Sequence, residues 1–295
     1  MKQQTVNEYL KSRYGKKLYK ISINAGLTCP NRDGTLGTGG CIFCSGTGSG
    51  DFAGDPVMSI YDQIESGKKR VKGKLPDEGF GYIAYFQAFT NTYGPAEKLE
   101  KMYMEAAMHE DIEIISIATR PDCLEDDILD IISGINRIKP VWIELGLQTI
   151  HEKTAEYIRR GYPLSVYDRA VRKLRDRSIE TIVHVILGLP GESREDMLET
   201  VKYVGDSGVQ GIKLQLLHVL RGTDLADEYL DGKFSCLGME EYTDIIRDAL
   251  MILPEDMVIH RMTGDGDKKL LIAPEWSKDK KRVLNLLRSK IEALS

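Results

Sequence analysis

Leu18-Tyr19-Lys20-Ile21-Ser22-Ile23-Asn24-Ala25-Gly26-Leu27-Thr28-Cys29-Pro30-Asn31-Arg32-Asp33-Gly34-Thr35-Leu36-Gly37-Thr38-Gly39-Gly40-Cys41-Ile42-Phe43-Cys44 runs from a β-rich apolar segment straight into a loop with three cysteines. The spacing is C-x11-C-x2-C. Thiolates are soft ligands that suit iron–sulfur clusters or zinc. Pro30, Gly34, Gly37, Gly39 and Gly40 let the backbone wind tightly around a bulky object. Structural zinc normally takes four ligands, but only three cysteines are local, and no histidine precedes His109. Three thiolates on a four-iron cluster leave one iron open. An open iron can chelate the amino and carboxylate groups of S-adenosylmethionine, whose reductive cleavage yields a 5′-deoxyadenosyl radical. A zinc site completed by Cys123, Cys236 or an aspartate is the alternative on the cysteines alone.

Outward from this loop, further β-rich runs at 82–87, 112–118, 141–147, 181–187 and 211–219 follow the first, at 18–24. Between them lie amphipathic helical patterns at 59–70, 96–110, 126–136, 153–160 with 166–177, and 194–207. Ser59 with Asp62, and Ser193 with Glu195 and Asp196, are helix-start signals. Six strands alternating with helices predict parallel βαβ units, and Ile/Val/Leu-rich strands predict a sheet covered on both faces. Right-handed crossovers curl such a chain into a barrel or an open doubly wound sheet, with the chemistry at the C-terminal strand ends. Beyond residue 235 the pattern changes to a helix at 239–253, a possible strand at 258–262, a loop at 264–267 and a terminal helix at 278–294. That helix has apolar positions at Val283, Leu286, Leu287, Ile291 and Leu294. The division expected is 14–235 for the barrel and 236–295 for a short helical extension packed on it.

Composition excludes several classes. Hydrophobic residues at 42% and charged residues at 29% are those of a soluble globular chain. No apolar run approaches the ~20 residues of a membrane span, and Met1-Lys2-Gln3-Gln4 lacks a signal peptide's apolar core, so a cytoplasmic location is expected. Five cysteines, three of them clustered, argue against a disulfide framework. A net charge of -5 argues against a histone-like nucleic-acid binder, though not against a tRNA enzyme.

The cysteine loop with the following 45–54 segment resembles a family of bacterial radical SAM proteins, close to the radical SAM domain of the Elongator catalytic subunit. Four further stretches share the resemblance: Tyr85-Phe86-Gln87-Ala88-Phe89-Thr90-Asn91-Thr92-Tyr93, Glu144-Leu145-Gly146-Leu147-Gln148-Thr149, Gly188-Leu189-Pro190-Gly191-Glu192, and His218-Val219-Leu220-Arg221-Gly222-Thr223. A fifth is His260-Arg261-Met262-Thr263-Gly264-Asp265-Gly266. The resemblance implies an α/β fold, an incomplete (β/α)6 TIM-like barrel, with a 4Fe-4S cluster on Cys29, Cys41 and Cys44 and S-adenosylmethionine as cofactor. After the second strand, related enzymes often carry Gly-Gly-Glu for the methionine amino group; here Gln87, Thr90 and Asn91 stand in its place. Glu144 and Gln148 are expected at the ribose, with a salt bridge from Glu144 to Arg159 or Arg160 as the alternative, since a charge inside an apolar strand needs a partner. Gly188 and Leu189 are expected against the adenine, and Leu216 and His218 on its far wall.

The resemblance also implies tRNA as substrate, by conversion of wobble carboxymethylaminomethyl-uridine to aminomethyl-uridine, and an electron donor such as flavodoxin or ferredoxin. A small-molecule or protein substrate, or a zinc-stabilised binding protein without catalysis, are the competing readings. Supporting RNA are the basic segments Lys68-Lys69-Arg70 with Lys72 and Lys74, and Lys278 with Lys280, Lys281 and Arg282; each also reads as a solvated helix face. Tyr82, Tyr85, Phe86, Phe89 and Tyr93 read as base-stacking or as core. His260, Arg261 and Asp265 are expected beyond the barrel, closing over the substrate, with Arg261 paired to a substrate carboxylate. Cys123 is either a reacting thiol in the cavity or an inert buried one, and His109, His151 and His184 read as structural.

Overall fold

The computed structural model describes residues 2–292 apart from 49, 51, 52, 77 and 265. Asp265 and the apolar position Leu294 therefore lie outside the described residues. The chain begins with α1 (Val6–Tyr14) and β1 (Lys17–Ile23). It continues through α2 (Ile60–Val71), β2 (Phe80–Phe86), α3 (Ala96–Met108), β3 (Ile112–Thr119), α4 (Asp126–Asn136) and β4 (Val141–Gln148). Next come α5 (Glu152–Tyr157), α6 (Leu164–Asp176), β5 (Glu180–Leu187), α7 (Arg194–Asp206) and β6 (Gly211–Leu216). The remainder is β7 (Val219–Leu220), α8 (Asp224–Leu230), α9 (Met239–Ile252), β8 (Val258–Arg261), β9 (Leu271–Ala273) and α10 (Lys280–Glu292).

The six expected strands form one parallel sheet in chain order, and β8 adds to it as a seventh strand beside β6. β1 and β8 do not pair, so the curled sheet is an incomplete barrel. The segment 236–295 is thus not purely helical, and His260 and Arg261 lie on a barrel strand rather than beyond the barrel. The run expected at 211–219 breaks in two. Its last residue, Val219, opens β7, which leaves the main sheet to pair antiparallel with β9.

Alternation along the strands sorts residues between two faces. Ile21, Ile23, Ala84, Phe86, Ile115, Ile117, Leu145, Leu147, Val183 and Leu214 face outward into the main core, under α2–α4, α6, α7 and α9. The inner face is layered. Leu18, Ile83, Ile114, Trp142 and Ile182 form an apolar plug with Leu10 of α1, and Val6, Tyr9 and Tyr14 pack beside it. The sequence reading began the fold at residue 14, so it missed α1. Thr5 and Glu8 form a capping box at its start, and Gly15 ends it at a positive φ. Tyr9 and Arg13 hold the Glu180 carboxylate at the foot of β5 at 2.6 and 2.8 Å, and the Trp142 indole N–H donates to its other oxygen. Gln3 donates to the Leu250 and Leu253 carbonyls at 2.9 Å each, tying the N-terminal segment to the end of α9. α1 therefore closes the N-terminal end of the barrel, leaving the C-terminal end open.

Candidate active site

The open end of the barrel is a cavity of about 440 Å³. Cys29, Cys41 and Cys44 line one wall, because β1 delivers the loop to the C-terminal edge of the sheet. The loop is braced from inside by Arg32, whose Nη2 donates to the carbonyls of Cys44 at 3.0 Å and Ser45 at 2.7 Å. Gly40 makes room for this strut: its φ is +75°, and a Cβ there would meet Arg32 Nε at 2.8 Å. Asn31 Nδ2 donates to the Arg159 carbonyl at 2.6 Å and lies 3.4 Å from Cys41 Sγ. Beyond the cysteines, Gly48 lies so close to the Phe89 ring that a Cβ would meet it at 2.3 Å, which seats the loop on the end of β2.

Gln87, Thr90, Gln148, Leu216 and His218 line the same cavity. Gln148 gets there through a register shift between β4 and β5 after Gly146 and a positive φ of 71°. Its Oε1 is buried with no hydrogen-bond partner among the described residues, as expected of an acceptor that meets a ligand group. Asn91 does not line the cavity. It is fully buried, donates from Nδ2 to the Ala118 carbonyl at 3.0 Å, and accepts the Tyr103 hydroxyl on its own carbonyl. Gly188 and Leu189 do not line it either. The Gly188 amide meets Met197 Sδ at 3.0 Å, and Leu189 packs with Ile42 and Ile158 in an apolar cluster. The β5 residue that faces the cavity there is Ile186.

Below this rim lies a polar layer centred on Glu144. Its carboxylate is fully buried and paired with neither Arg159 nor Arg160, which bind Asp224 and Glu152 instead. Lys20 Nζ donates to Oε1 at 2.8 Å and Ser116 Oγ at 2.7 Å; His184 Nε2 reaches Oε2 at 2.8 Å, and Lys213 Nζ donates to the same oxygen. With these four donors in place, Glu144 is a counter-ion rather than a free ribose acceptor. Burial alone would raise its carboxyl, but Lys20, Lys213 and His184 outweigh that and hold it well below the ordinary carboxylate range. Burial, with Lys213 beside it, lowers His184 to about 4, so the imidazole is neutral. Its Nε2–H faces Glu144 and its Nδ1 accepts from Gln215 Nε2 at 3.1 Å. His184 thus lies in the cavity wall, although its sequence context read as merely structural.

Lys20 and Lys213 are members of this layer that the sequence reading passed over, and Tyr85, read as base-stacking or core, lies beside both. The two ammonium groups lie 4.4 and 4.9 Å from the Tyr85 ring centroid. A lysine inside an apolar strand carries the same signal that singled out Glu144, a buried charge in need of a partner. Arg120, bidentate to Asp122 at 2.9 and 2.8 Å, and Arg160 also line the wall, and both pack on the Tyr162 ring. Arg261 of β8 lines the cavity, whereas His260 lies deeper, its ring 5.0 Å from Trp142. Cys123 lines a different cavity of about 780 Å³, behind the cysteine loop with Tyr93 and Leu36, and burial pushes its thiol up to about 12. Of the basic segments, Lys68 is engaged by Glu65 and Asp111.

Residues 28–204 match the model of the Radical SAM superfamily, and residues 209–293 match the Radical_SAM C-terminal domain. The chain belongs to the radical SAM family. It is 45% identical over 288 residues to the uncharacterized protein YtqA of Bacillus subtilis, covering 98% of this chain and 89% of that one. It is 27% identical over 287 residues to the tRNA uridine(34) acetyltransferase of Methanocaldococcus jannaschii, covering 83% of this chain and 51% of the other. The archaeal Methanocaldococcus infernus Elp3 shares the fold, with a TM-score of 0.68 and 17% identity over 93% of this chain and 63% of that one.

As a radical SAM enzyme, the chain uses a 4Fe-4S cluster and S-adenosylmethionine. The cavity fits both. Three soft thiols share one wall, and the buried, unpartnered Gln148 Oε1 belongs to another residue of the lining. Among the described residues, the groups whose ligand atoms converge within 4.8 Å are Glu65, His109 and Asp111, and His151, Asp196 and Glu199. The three thiols are not among these groups, so at least one pair of them lies more than 4.8 Å apart, wider than the ~3.8 Å that a single tetrahedral zinc with Zn–S bonds of ~2.3 Å imposes.

Proposed function

We propose that Cys29, Cys41 and Cys44 hold the 4Fe-4S cluster, and that the enzyme acts in the cytoplasm on the side chain of the wobble uridine of tRNA, converting carboxymethylaminomethyl-uridine to aminomethyl-uridine. The observation that carries this reading is the cavity itself: three thiols on one wall, above a floor lined with charged side chains. When bound, the cluster and S-adenosylmethionine supply a carbon-centred radical able to take hydrogen from an unactivated C–H bond.

The protein's own residues position and shield. Arg32 and Asn31 fix the loop so that the three thiols keep their places. Gln148, Gln87 and Thr90 offer amide and hydroxyl groups at the rim to the amino, carboxylate and ribose groups of the cofactor, and Leu216 and Ile186 supply an apolar wall for the adenine. The plug beneath the polar layer keeps water from entering at the N-terminal end of the barrel. Two further points support tRNA: a relative acts on uridine 34, as its name states, and Phe89 and Tyr85 offer ring faces at the cavity. An external one-electron donor of the flavodoxin or ferredoxin type supplies the reductant that radical SAM enzymes need.

Nucleoside analysis of tRNA from a strain lacking the gene tests the reading. Aminomethyl-derived wobble uridines are expected to fall and the carboxymethylaminomethyl form to accumulate. The wild-type gene is expected to restore the profile, and a Cys41→Ala version is not. An unchanged wobble-uridine profile in the deletion strain would sink the proposal.

A further inference from the structure

Asn31 stands two residues beyond Cys29 and is 5% exposed. It grips the far side of the cysteine loop at two points. Its main-chain carbonyl accepts the Gly40 amide at 2.7 Å, next to Cys41. Its Nδ2 lies 3.4 Å from Cys41 Sγ, within reach of a sulfur acceptor, and 2.6 Å from the Arg159 carbonyl. An amide nitrogen carries two N–H bonds, and here each has its own acceptor. The Arg159 carbonyl also settles which way the amide faces, because a carbonyl only accepts. Nδ2 rather than Oδ1 therefore meets both Arg159 and the sulfur.

The turn on which this amide rests lies 128 residues further along the chain. It follows α5, and Arg159 and Gly161 hold positive φ values of 58° and 83° there. A non-glycine residue in that region is strained and stays so only where its surroundings hold it. Gly161 lies close against the amide: a Cβ would stand 2.9 Å from Asn31 Oδ1. The Ile158 carbonyl accepts the Ile42 amide at 3.4 Å, so the same turn also holds the residue after Cys41. For bracing alone, these main-chain bonds and the Arg159 contact suffice. The second N–H of Asn31 is left for the sulfur.

A cysteine that ligates iron is a thiolate with no proton to give. The Arg159 carbonyl lies 3.6 Å from Cys41 Sγ. In the loaded enzyme two electron-rich atoms therefore face each other, and the Asn31 amide is the donor shared between them. Hydrogen bonds to ligating sulfurs tune a cluster's potential. The direction follows from electrostatics. An added electron places more negative charge on the sulfurs, so an N–H···S bond strengthens on reduction and favours the reduced state.

We propose that the Asn31 side chain donates to the Cys41 thiolate and raises the potential at which the cluster takes up its electron. Asn31 is thus a tuning residue that eases the reduction on which cleavage of S-adenosylmethionine depends. One electron passes from the external donor, of the flavodoxin or ferredoxin type, to the cluster; no bond forms or breaks, and no proton moves. This role rests on Cys29, Cys41 and Cys44 holding the cluster, and it is independent of the substrate.

The test is a redox titration of the anaerobically reconstituted full-length enzyme with dithionite and mediators, followed by EPR of the reduced cluster. In Asn31→Ala the ratio of reduced to oxidised cluster at a given potential is expected to fall about tenfold, a downward shift of about 59 mV for one electron. Asn31→Asp, which replaces the donor by an anion, is expected to shift further down. Tyr93→Phe serves as the control. It releases another tether of the loop, the 3.0 Å contact with the Thr35 hydroxyl, without removing a donor to sulfur, and is expected to keep the wild-type midpoint. An unchanged midpoint in Asn31→Ala, or an equal fall in Tyr93→Phe, would overturn the assignment.

If Asn31→Ala fails to hold iron, the wild type alone decides. Pulsed EPR of its reduced cluster, with asparagine side-chain amides labelled with nitrogen-15, is expected to show a weak coupling to one such nitrogen. No coupling would overturn the tuning role. Cys41→Ala separates the two levels: it is expected to lose the cluster, and a full iron load in that variant would remove the three-cysteine reading and the tuning role with it. Circular dichroism and iron content of each variant check that it is folded and loaded.

Discussion

Replacing Glu144 by Gln is the sharpest test of the polar layer. The amide keeps the shape and removes the charge. Lys20 and Lys213 are then left facing a neutral group, and Lys213 keeps only 2% of its side chain exposed. Breaking a buried ion pair by removing one partner costs about 3–5 kcal/mol. For a chain of 295 residues, an unfolding entropy of ~2.1 cal/mol/K per residue gives about 0.6 kcal/mol/K, so the melting temperature should fall by roughly 5–8 °C at pH 7.

The pH dependence carries a definite sign. In the wild type, Glu144 sits well below its unfolded value. Its contribution is therefore present above that unfolded value and is lost only as pH falls through the depressed folded one, so Glu144 itself adds no slope in the neutral range. In the variant Lys213, which burial already holds well below its unfolded value, loses its anion and drops further. The excess of protons on the unfolded chain over the folded one then grows, and stability rises with pH more steeply than in the wild type between neutrality and ~10. Differential scanning fluorimetry under anaerobic conditions at pH 6.5, 7.5, 8.5 and 9.5 reads both effects. A fall of under ~1 °C at pH 7, or no recovery at pH 9.5, would refute the reading of Glu144 as a buried counter-ion.

Gly40→Ala should act on the cysteine loop. Its φ of +75° and the Cβ contact at 2.8 Å with Arg32 Nε force the strut aside, at a cost of about 1–2 kcal/mol. The variant should release iron to a chelator faster than wild type, and equal release rates would show that Arg32 does not brace the loop. Leu10→Ala should destabilise by about 2–5 kcal/mol, because Leu10 is 2% exposed in the plug. The emission of Trp142 should shift to the red as water reaches the barrel floor, and an unshifted spectrum would mean that α1 does not seal it.

The alternation of Ile- and Val-rich runs with amphipathic stretches was enough to place six of the seven sheet strands, with ends within one or two residues apart from the sixth, because two-sided burial writes itself as a continuous apolar run. β8 was legible only as a candidate, since four residues carry little pattern. α1 and α8 were missed for the same reason. Their apolar faces are short, and what makes them matter is the N-terminal barrel end that α1 covers and the cysteine loop that α8 covers. Among site residues, the rim positions Gln87, Thr90, Gln148, Leu216 and His218 do reach the cavity. Asn91, Gly188 and Leu189 belong to the same motifs but turn into the core, because a βα turn sends neighbouring side chains in opposite directions.

The three cysteines and their C-x11-C-x2-C spacing were determined by the sequence alone, because ligand chemistry and loop length are local properties. Their company was not. Cys123 resembles them in sequence yet faces another cavity, and Lys20, Glu144, His184 and Lys213 sit on four different strands. Only curling the sheet brings those four within hydrogen-bond reach, where a low-dielectric interior makes each charge depend on the others.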